Sequence, residues 1–117
     1  MTNNNYSEKS YNLLNQELIT GNFTATISDY KEVPALIDDD NTIIRDAYIN
    51  ITLNLSNNEF LDTRIYSKRL RYFMFAMNSQ YSEITYKLSD LLEKMRTEPF
   101  NVEITIDAKY GYQVDFK

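Results

Sequence analysis

Two segments of helical periodicity, both within residues 67–97, lie between segments in which apolar and polar residues alternate. The alternation covers residues 22–33 and 48–66 before the helical segments, and residues 100–116 after them. Alternation is typical of half-buried strands, whereas apolar residues spaced by three and four are typical of amphipathic helices. The chain is therefore predicted to be mainly β with a helical insert, in the order β-β-β-α-α-β-β.

The first predicted strand runs from Asn22 towards Val33 and is stopped by Pro34. The second begins at Tyr48 and points Ile49, Ile51, Leu53 and Leu55 to one side. An asparagine-containing turn at residues 56–59 leads into the third strand, residues 60–66. The fourth and fifth strands, residues 100–106 and 112–116, are joined by a turn that contains Gly111. Residues 34–46 are predicted to be a long polar loop.

Ser67 is predicted to cap the first helix of the insert and Ser82 the second. Pro99 prevents the second helix from extending much beyond Thr97. A further short amphipathic helix is predicted in the first 20 residues, ending at Gly21. The apolar stripes of the two insert helices are Leu70, Phe73, Met74 and Met77, then Ile84, Leu88, Leu91, Leu92 and Met95.

A length of 117 residues indicates one folded domain, here residues 21–117. It is preceded by an N-terminal helical segment over residues 1–20. Apolar runs are shorter than the roughly 18 residues of a spanning helix, and the N-terminus lacks the features of a secretory signal. The chain contains no cysteine, which fits a reducing compartment. We therefore expect a cytoplasmic protein that does not interact with a membrane.

The chain also contains no histidine, so the usual general base and the common transition-metal ligands are both missing. The densest carboxylate cluster, Asp38-Asp39-Asp40, lacks the glycine and distal glutamate of a calcium loop and is interpreted as solvated. No phosphate-binding glycine motif or nucleophile motif is present. The sequence predicts a protein without enzymatic activity, cofactor or metal.

Positive charge is concentrated between Thr63 and Tyr81, a segment with four basic residues and no acidic one in a chain of net charge −5. Aromatic residues alternate with these cations. Cations beside flat rings are what a single-stranded nucleic acid requires, because they neutralise phosphates and stack on bases. The same rings can equally be core residues. The basic residues are Arg64, Lys68, Arg69 and Arg71.

A helix inserted between the third and fourth of five strands is the topology of the OB-fold, a partly open barrel. Three segments belong to the first two predicted strands: Gly21-Asn22-Phe23-Thr24-Ala25-Thr26-Ile27, Tyr30-Lys31-Glu32-Val33-Pro34 and Tyr48-Ile49-Asn50-Ile51-Thr52-Leu53. They resemble the opening of small bacteriophage single-stranded-DNA-binding proteins of OB type, and the likeness covers residues 12–117. It does not include the acidic tail of such proteins, because the chain stops inside its last predicted strand, at Lys117.

An OB barrel binds across its second and third strands and through the loops next to them. This architecture selects the outward residues of those strands, Tyr48, Asn50, Arg64 and Tyr66, and the last turn, with Lys109 and Tyr110. Cross-strand packing on a solvated face is the other interpretation of the two strand tyrosines. Tyr112 is a further candidate at this turn, but it shares the phase of the last strand's apolar residues, so core is the preferred interpretation. The acidic loop of residues 34–46 is poorly suited to hold phosphates.

The first insert helix is predicted to expose Tyr72 and Phe75 beside Lys68 and Arg71. The two rings can stack on bases, be covered by the N-terminal helix or form an oligomer contact. Two functions follow from the whole sequence. The leading one is binding of single-stranded DNA in phage or mobile-element replication or recombination. The alternative is a protein-interaction module, such as an anti-defence inhibitor or immunity protein, in which an acidic chain masks a basic surface of a protein partner.

Overall fold

Five long strands form one antiparallel sheet in the computed structural model, which describes Leu14 and residues 17–117. The strands are β1 (Gly21–Val33), β4 (Tyr48–Leu55), β5 (Phe60–Tyr66), β6 (Phe100–Asp107) and β7 (Gly111–Phe116). Their order across the sheet is β5-β4-β1-β6-β7, which leaves β5 and β7 as the two outer strands. All five strands were predicted from alternation, and this part of the prediction is confirmed.

The helical insert consists of α1 (Leu70–Tyr81) and α2 (Leu88–Thr97). Both helices pack on the same side of the sheet: α2 contacts β1, while α1 contacts β5, β6 and β7. The core between the layers is apolar and includes the fully buried residues Ile51, Leu53, Met77, Leu91, Met95, Val102 and Ile104. At one end, Phe73 of α1 meets Phe116 of β7 edge to face, with ring centroids 5.0 Å apart.

The starts of both helices differ from the prediction. Residues Ser67–Arg69 form a 3-10 turn, and α1 begins at Leu70 without a side-chain cap. Ser82 does not cap α2; it ends α1 with a left-handed backbone (φ 54°). The side chain of Asn78 then bonds both backbone groups of Thr85, at 2.9 and 3.1 Å. These two hydrogen bonds keep the chain non-helical until Leu88. Ile84 is therefore exposed and does not belong to the buried apolar stripe of α2.

The predicted polar loop contains a second, two-stranded sheet, made of β2 (Leu36–Ile37) and β3 (Ile43–Arg45). Its turn is organised by Asp38, whose Oδ1 accepts hydrogen bonds from the backbone N–H groups of Asp40 and Thr42, both at 2.9 Å. Asn41 takes the positive φ (62°) that this turn needs. We call residues 34–47 the arm. The prediction of an irregular loop is wrong because strands of two and three residues are too short to show a period.

The predicted N-terminal helix lies largely outside the described residues. Within the part that the structure describes, residues 17–20 have no regular secondary structure, and Leu18 is exposed. Ile19 packs against the edge of the core. None of the helices in the described part of the chain is both long and apolar enough to cross a bilayer.

Tyr81 links α1 to the end of α2 by donating a hydrogen bond to the backbone carbonyl of Glu98 (2.7 Å). Burial, and secondly the charge of Glu98, raise the pKa of Tyr81 from 10.0 to about 12. The native state therefore retains this proton more strongly than the unfolded chain does. The stability that results is complete below pH 10 and is lost as the pH rises towards about 12.

We expect the free energy of unfolding to fall between pH 10 and about 12, and to fall less steeply in Tyr81→Phe. The variant has no phenol to ionise at this position, although it loses the hydrogen bond and starts from a lower stability. Urea titrations at neutral pH and through that alkaline range measure the difference. Parallel curves for the two proteins would show that Tyr81 does not contribute to the alkaline loss.

Candidate nucleic-acid interface

Four of the residues selected from the sequence face one another on the solvent side of β4 and β5. The antiparallel register places Tyr48 opposite Tyr66 and Asn50 opposite Arg64. In the same register Lys31 of β1 lies beside Asn50 on its other side. Opposed residues in such a ladder bring their side chains within contact distance. The structure thus assembles the predicted strand residues into one patch.

The two tyrosines and the arginine of this patch are in contact. The rings of Tyr48 and Tyr66 are 5.1 Å apart between centroids and tilted by 47°. The guanidinium of Arg64 lies 4.6 Å from the Tyr48 centroid and donates a 3.3 Å hydrogen bond to the Tyr66 hydroxyl. That hydrogen bond is the main factor that raises the pKa of Arg64, so its positive charge persists at any pH of interest.

A second arginine reaches the same ring from the arm. Arg45, the last residue of β3, places its guanidinium carbon 5.3 Å from the Tyr48 centroid. Its Nη2 donates a 2.8 Å hydrogen bond to the carbonyl of Pro34, and its Nε is buried without a protein partner. Sequence reasoning missed Arg45 because the surrounding loop is acidic. The available signal was a single cation three positions before the start of the second predicted strand. We call Arg45, Tyr48, Arg64 and Tyr66 the tyrosine-arginine cluster.

The outer strands do not pair with each other, and a cleft of about 1020 Å³ separates β5 from β7. One wall is β5 and the other is β7 with the turn before it. The 3-10 turn before α1 contributes Arg69, and α1 itself contributes Tyr72, Phe73 and Ala76. We call this the edge cleft. Because β5 is an outer strand, Arg64 and Tyr66 belong both to the cluster and to the cleft. The two features therefore form one continuous surface.

The edge cleft brings together sequence-selected residues from three elements: Arg64 and Tyr66 of β5, Arg69 and Tyr72 at α1, and Tyr110 before β7. It also contains two carboxylates, Asp62 and Asp115. Asp62 accepts a 2.6 Å hydrogen bond from the hydroxyl of Thr52 on β4. The positive part of the surface is consequently the part that includes Arg64 and Arg69.

Other sequence-selected residues lie elsewhere. Lys68 and Arg71 line a separate shallow depression with Met74 and are absent from the cleft; Lys68 pairs with Asp46 at 3.5 Å. Phe75 is 77% exposed and is not part of the cleft lining. Lys109 lies at the last turn, with its Nζ 5.1 Å from the Tyr110 centroid. The acid-free run of the sequence is therefore divided between two surfaces.

Tyr112 corrects a prediction. It shares the strand phase of Val114 and Phe116, but it is 37% exposed and lines the edge cleft. Its hydroxyl accepts a 2.9 Å hydrogen bond from the backbone N–H of Ile19. The open edge of the sheet explains the difference, since none of the strands among the described residues covers β7 on this side. Tyr112 thereby adds an aromatic ring to the cleft wall.

Comparison with protein-family models and with curated proteins found no match to this chain. The chemistry of the two joined features is therefore what supports a function. The exposed rings of Tyr72 and Tyr110 and the half-buried rings of Tyr48 and Tyr66 offer apolar faces, and guanidinium groups offer fixed charge and several N–H donors. Such a surface can hold planar ring systems and anionic groups at the same time.

Proposed function

We propose that this protein binds single-stranded DNA without catalysis. The observation that carries the proposal is the continuity of the tyrosine-arginine cluster with the edge cleft through Arg64 and Tyr66. Bases stack on aromatic side chains with about 1–3 kcal/mol each, largely independently of sequence. Cations along the same path neutralise the phosphates.

The path proposed for the strand crosses β4 and β5 and then enters the cleft. Tyr66 offers the first stacking face, while Arg45 and Arg64, which both lie over the Tyr48 ring, contact phosphates. Beyond the β5 edge, Arg69 supplies a further phosphate contact. Tyr72 and Tyr110 then receive the next bases. In this arrangement Asn50 provides a polar contact next to Arg64.

The architecture is consistent with this role. We propose an OB-type barrel that is open on one side, with five antiparallel strands and helices inserted between the third and fourth of them. The resemblance of the first two strands to phage single-stranded-DNA-binding proteins favours DNA and a role in phage or mobile-element replication or recombination. A cytoplasmic location follows from that role.

A second function is favoured by the unpaired outer edges of β5 and β7. Exposed strand edges recruit extended segments of other proteins by adding a strand to the sheet. With a net charge of −5, the chain is suited to a basic partner. The alternative proposal is thus a protein-interaction module that adds a strand of a partner at one of these edges and masks a basic surface of that partner.

Titration of a fluorescently labelled oligothymidylate, followed by anisotropy, separates the two proposals. The DNA-binding proposal predicts saturable binding at low salt that is stronger than binding to a duplex of equal length, because only single strands expose base faces. Absence of binding at low salt would reject DNA binding and favour the protein-interaction module.

Tyr110 gives a specific test of the cleft. It is 69% exposed at the cleft wall, and Gly111 beside it supplies the positive φ (78°) of the turn. We expect Tyr110→Ala to weaken single-strand binding by about 1–3 kcal/mol, the value of one stacked base, with little change in melting temperature. The matched control is Tyr86→Ala, which removes an 87% exposed ring that does not line the cleft. Equal affinities for the two variants, with Tyr110→Ala melting lower, would assign Tyr110 to the fold.

A further inference from the structure

The arm exposes aliphatic side chains on both of its faces. Leu36 and Ile37 of β2 are 49% and 53% exposed, and Ile43 and Ile44 of β3 are 57% and 62% exposed. Neighbouring residues of a strand point to opposite sides, so neither face of this two-stranded sheet is covered. A lone hairpin is at best marginally stable in water, and exposed aliphatic clusters mark contact surfaces. The aliphatic side chains of β2 and β3 are therefore about half exposed within the described part of the chain, although Arg45 at the base of the arm contacts Tyr48.

The tip of the arm adds negative charge to this apolar surface. Asp38, Asp39 and Asp40 are consecutive and exposed. Only Asp38 is occupied by turn hydrogen bonds, through its Oδ1. The carboxylates of Asp39 and Asp40 form no ion pair among the described residues. A surface that accommodates the arm must therefore combine apolar groups with cations.

The exposed side of α1 has that combination. Lys68 and Arg71 line a depression of about 510 Å³ with Leu70 and Met74, and the 77% exposed Phe75 follows one turn after Arg71. No acidic residue occurs between Thr63 and Tyr81, and the carboxylate that pairs with the patch among the described residues is Asp46 at the base of the arm, 3.5 Å from Lys68. We call Lys68, Arg71, Met74 and Phe75 the helix patch. It lies outside the edge cleft.

We propose that the arm of one copy docks on the helix patch of a second copy, and that two copies exchange arms reciprocally. The aliphatic residues of the arm cover Phe75 and Met74, while Asp39 and Asp40 meet Lys68 and Arg71. Each copy contributes both its arm and its helix patch to the contact, as the symmetry of a two-fold dimer requires.

This proposal goes beyond DNA binding and is tested without nucleic acid. Light scattering after size-exclusion chromatography should give twice the chain mass of 13.8 kDa, falling towards one chain mass on dilution. Asp39→Lys/Asp40→Lys should give one chain mass, because the reversed arm meets a basic patch; Asp38 is left intact to keep the turn. Lys68→Glu/Arg71→Glu should also give one chain mass, because the reversed patch meets an acidic arm.

Mixing the two charge-reversed variants is the decisive part of the experiment. In a mixed pair, each arm faces a patch of opposite charge, so the mixture should recover twice the chain mass although each variant alone does not. For the apolar half of the contact, Ile44→Ser and Phe75→Ser should each lower the dimer fraction, whereas Ile84→Ser, at a 67% exposed site outside both surfaces, should not.

Circular dichroism on every variant confirms that the sheet and helices are retained. A wild-type protein with one chain mass at all concentrations would overturn the proposal. So would a mixture of the folded reversed variants that keeps one chain mass, or a dimer that survives both reversals. Loss of DNA binding with the dimer intact would instead reject only the proposed function.

Discussion

Arg64→Glu combined with Arg69→Glu is expected to abolish single-strand binding. Both side chains line the edge cleft, and Arg64 also contacts both tyrosines of the cluster. A hydrogen bond to a charged group is worth about 1.5–3 kcal/mol, so loss of two phosphate contacts weakens binding by at least about 100-fold before repulsion is added. Anisotropy titration of a labelled oligothymidylate measures the loss.

The matched control is Lys68→Glu/Arg71→Glu, which reverses two cations of the same acid-free run outside the cleft. Each double variant changes the net charge from −5 to −9, so general repulsion is equal in the two. An oligonucleotide short enough for one copy removes any contribution from self-association. If both double variants lose affinity equally, the binding depends on overall charge and not on the cleft.

Of the substitutions proposed for this protein, Leu91→Ala is expected to lower the free energy of unfolding most. Leu91 is fully buried in α2, which packs against β1 in the centre of the sheet. Removing a buried leucine side chain costs about 2–5 kcal/mol, because transfer energy is lost and a cavity remains. Small domains have total stabilities of about 5–15 kcal/mol, so the variant should lose a large part of its folding free energy. Urea denaturation at neutral pH measures it.

Ile84→Ala is the comparison, because the sequence pattern assigns Ile84 and Leu91 to the same apolar stripe. The structure separates them: Ile84 is 67% exposed in the segment held by Asn78, whereas Leu91 is fully buried. We therefore expect Ile84→Ala to change stability by less than about 0.5 kcal/mol, as surface substitutions usually do. A loss similar to that of Leu91→Ala would mean that α2 extends to Ile84, as the sequence alone predicts.

The sheet was predictable because each long strand has one buried and one solvated face. Ile51, Leu53 and Leu55 of β4 are buried as their alternation predicts, as are Phe100, Val102 and Ile104 of β6. The turn of residues 56–59 followed from Asn58, which adopts a positive φ of 68°. Such signals are local, so sequence alone contains them.

The elements that the sequence failed to predict depend on hydrogen bonds between a single side chain and the backbone a few residues further on. The prediction that Ser82 caps α2 was wrong because the side chain of Asn78 forms hydrogen bonds with the backbone of Thr85. These bonds hold the segment after Ser82 in a non-helical conformation. The arm was missed because its strands are only two and three residues long and depend on the turn around Asp38. Neither arrangement leaves a periodic trace in the sequence.

The candidate site was predictable only in part. The outward phase of β4 and β5 selected Tyr48, Asn50, Arg64 and Tyr66, and the register places them opposite each other. The edge cleft was not predictable, because the gap between β5 and β7 is a property of the whole sheet. For the same reason Tyr112 was interpreted as a core residue. Arg45 required knowledge of the arm's geometry.

The salt dependence of oligothymidylate binding tests the central proposal most directly. For single strands, the slope of log affinity against log salt is about −0.7 for each neutralised phosphate, so contacts from Arg45, Arg64 and Arg69 predict a slope of about −2. In Arg64→Glu/Arg69→Glu, the magnitude of any slope that can still be measured should fall to about 0.7 or below. Failure of the parent protein to bind at low salt, or an unchanged slope in this double variant, would contradict the proposal that the tyrosine-arginine cluster and the edge cleft hold single-stranded DNA.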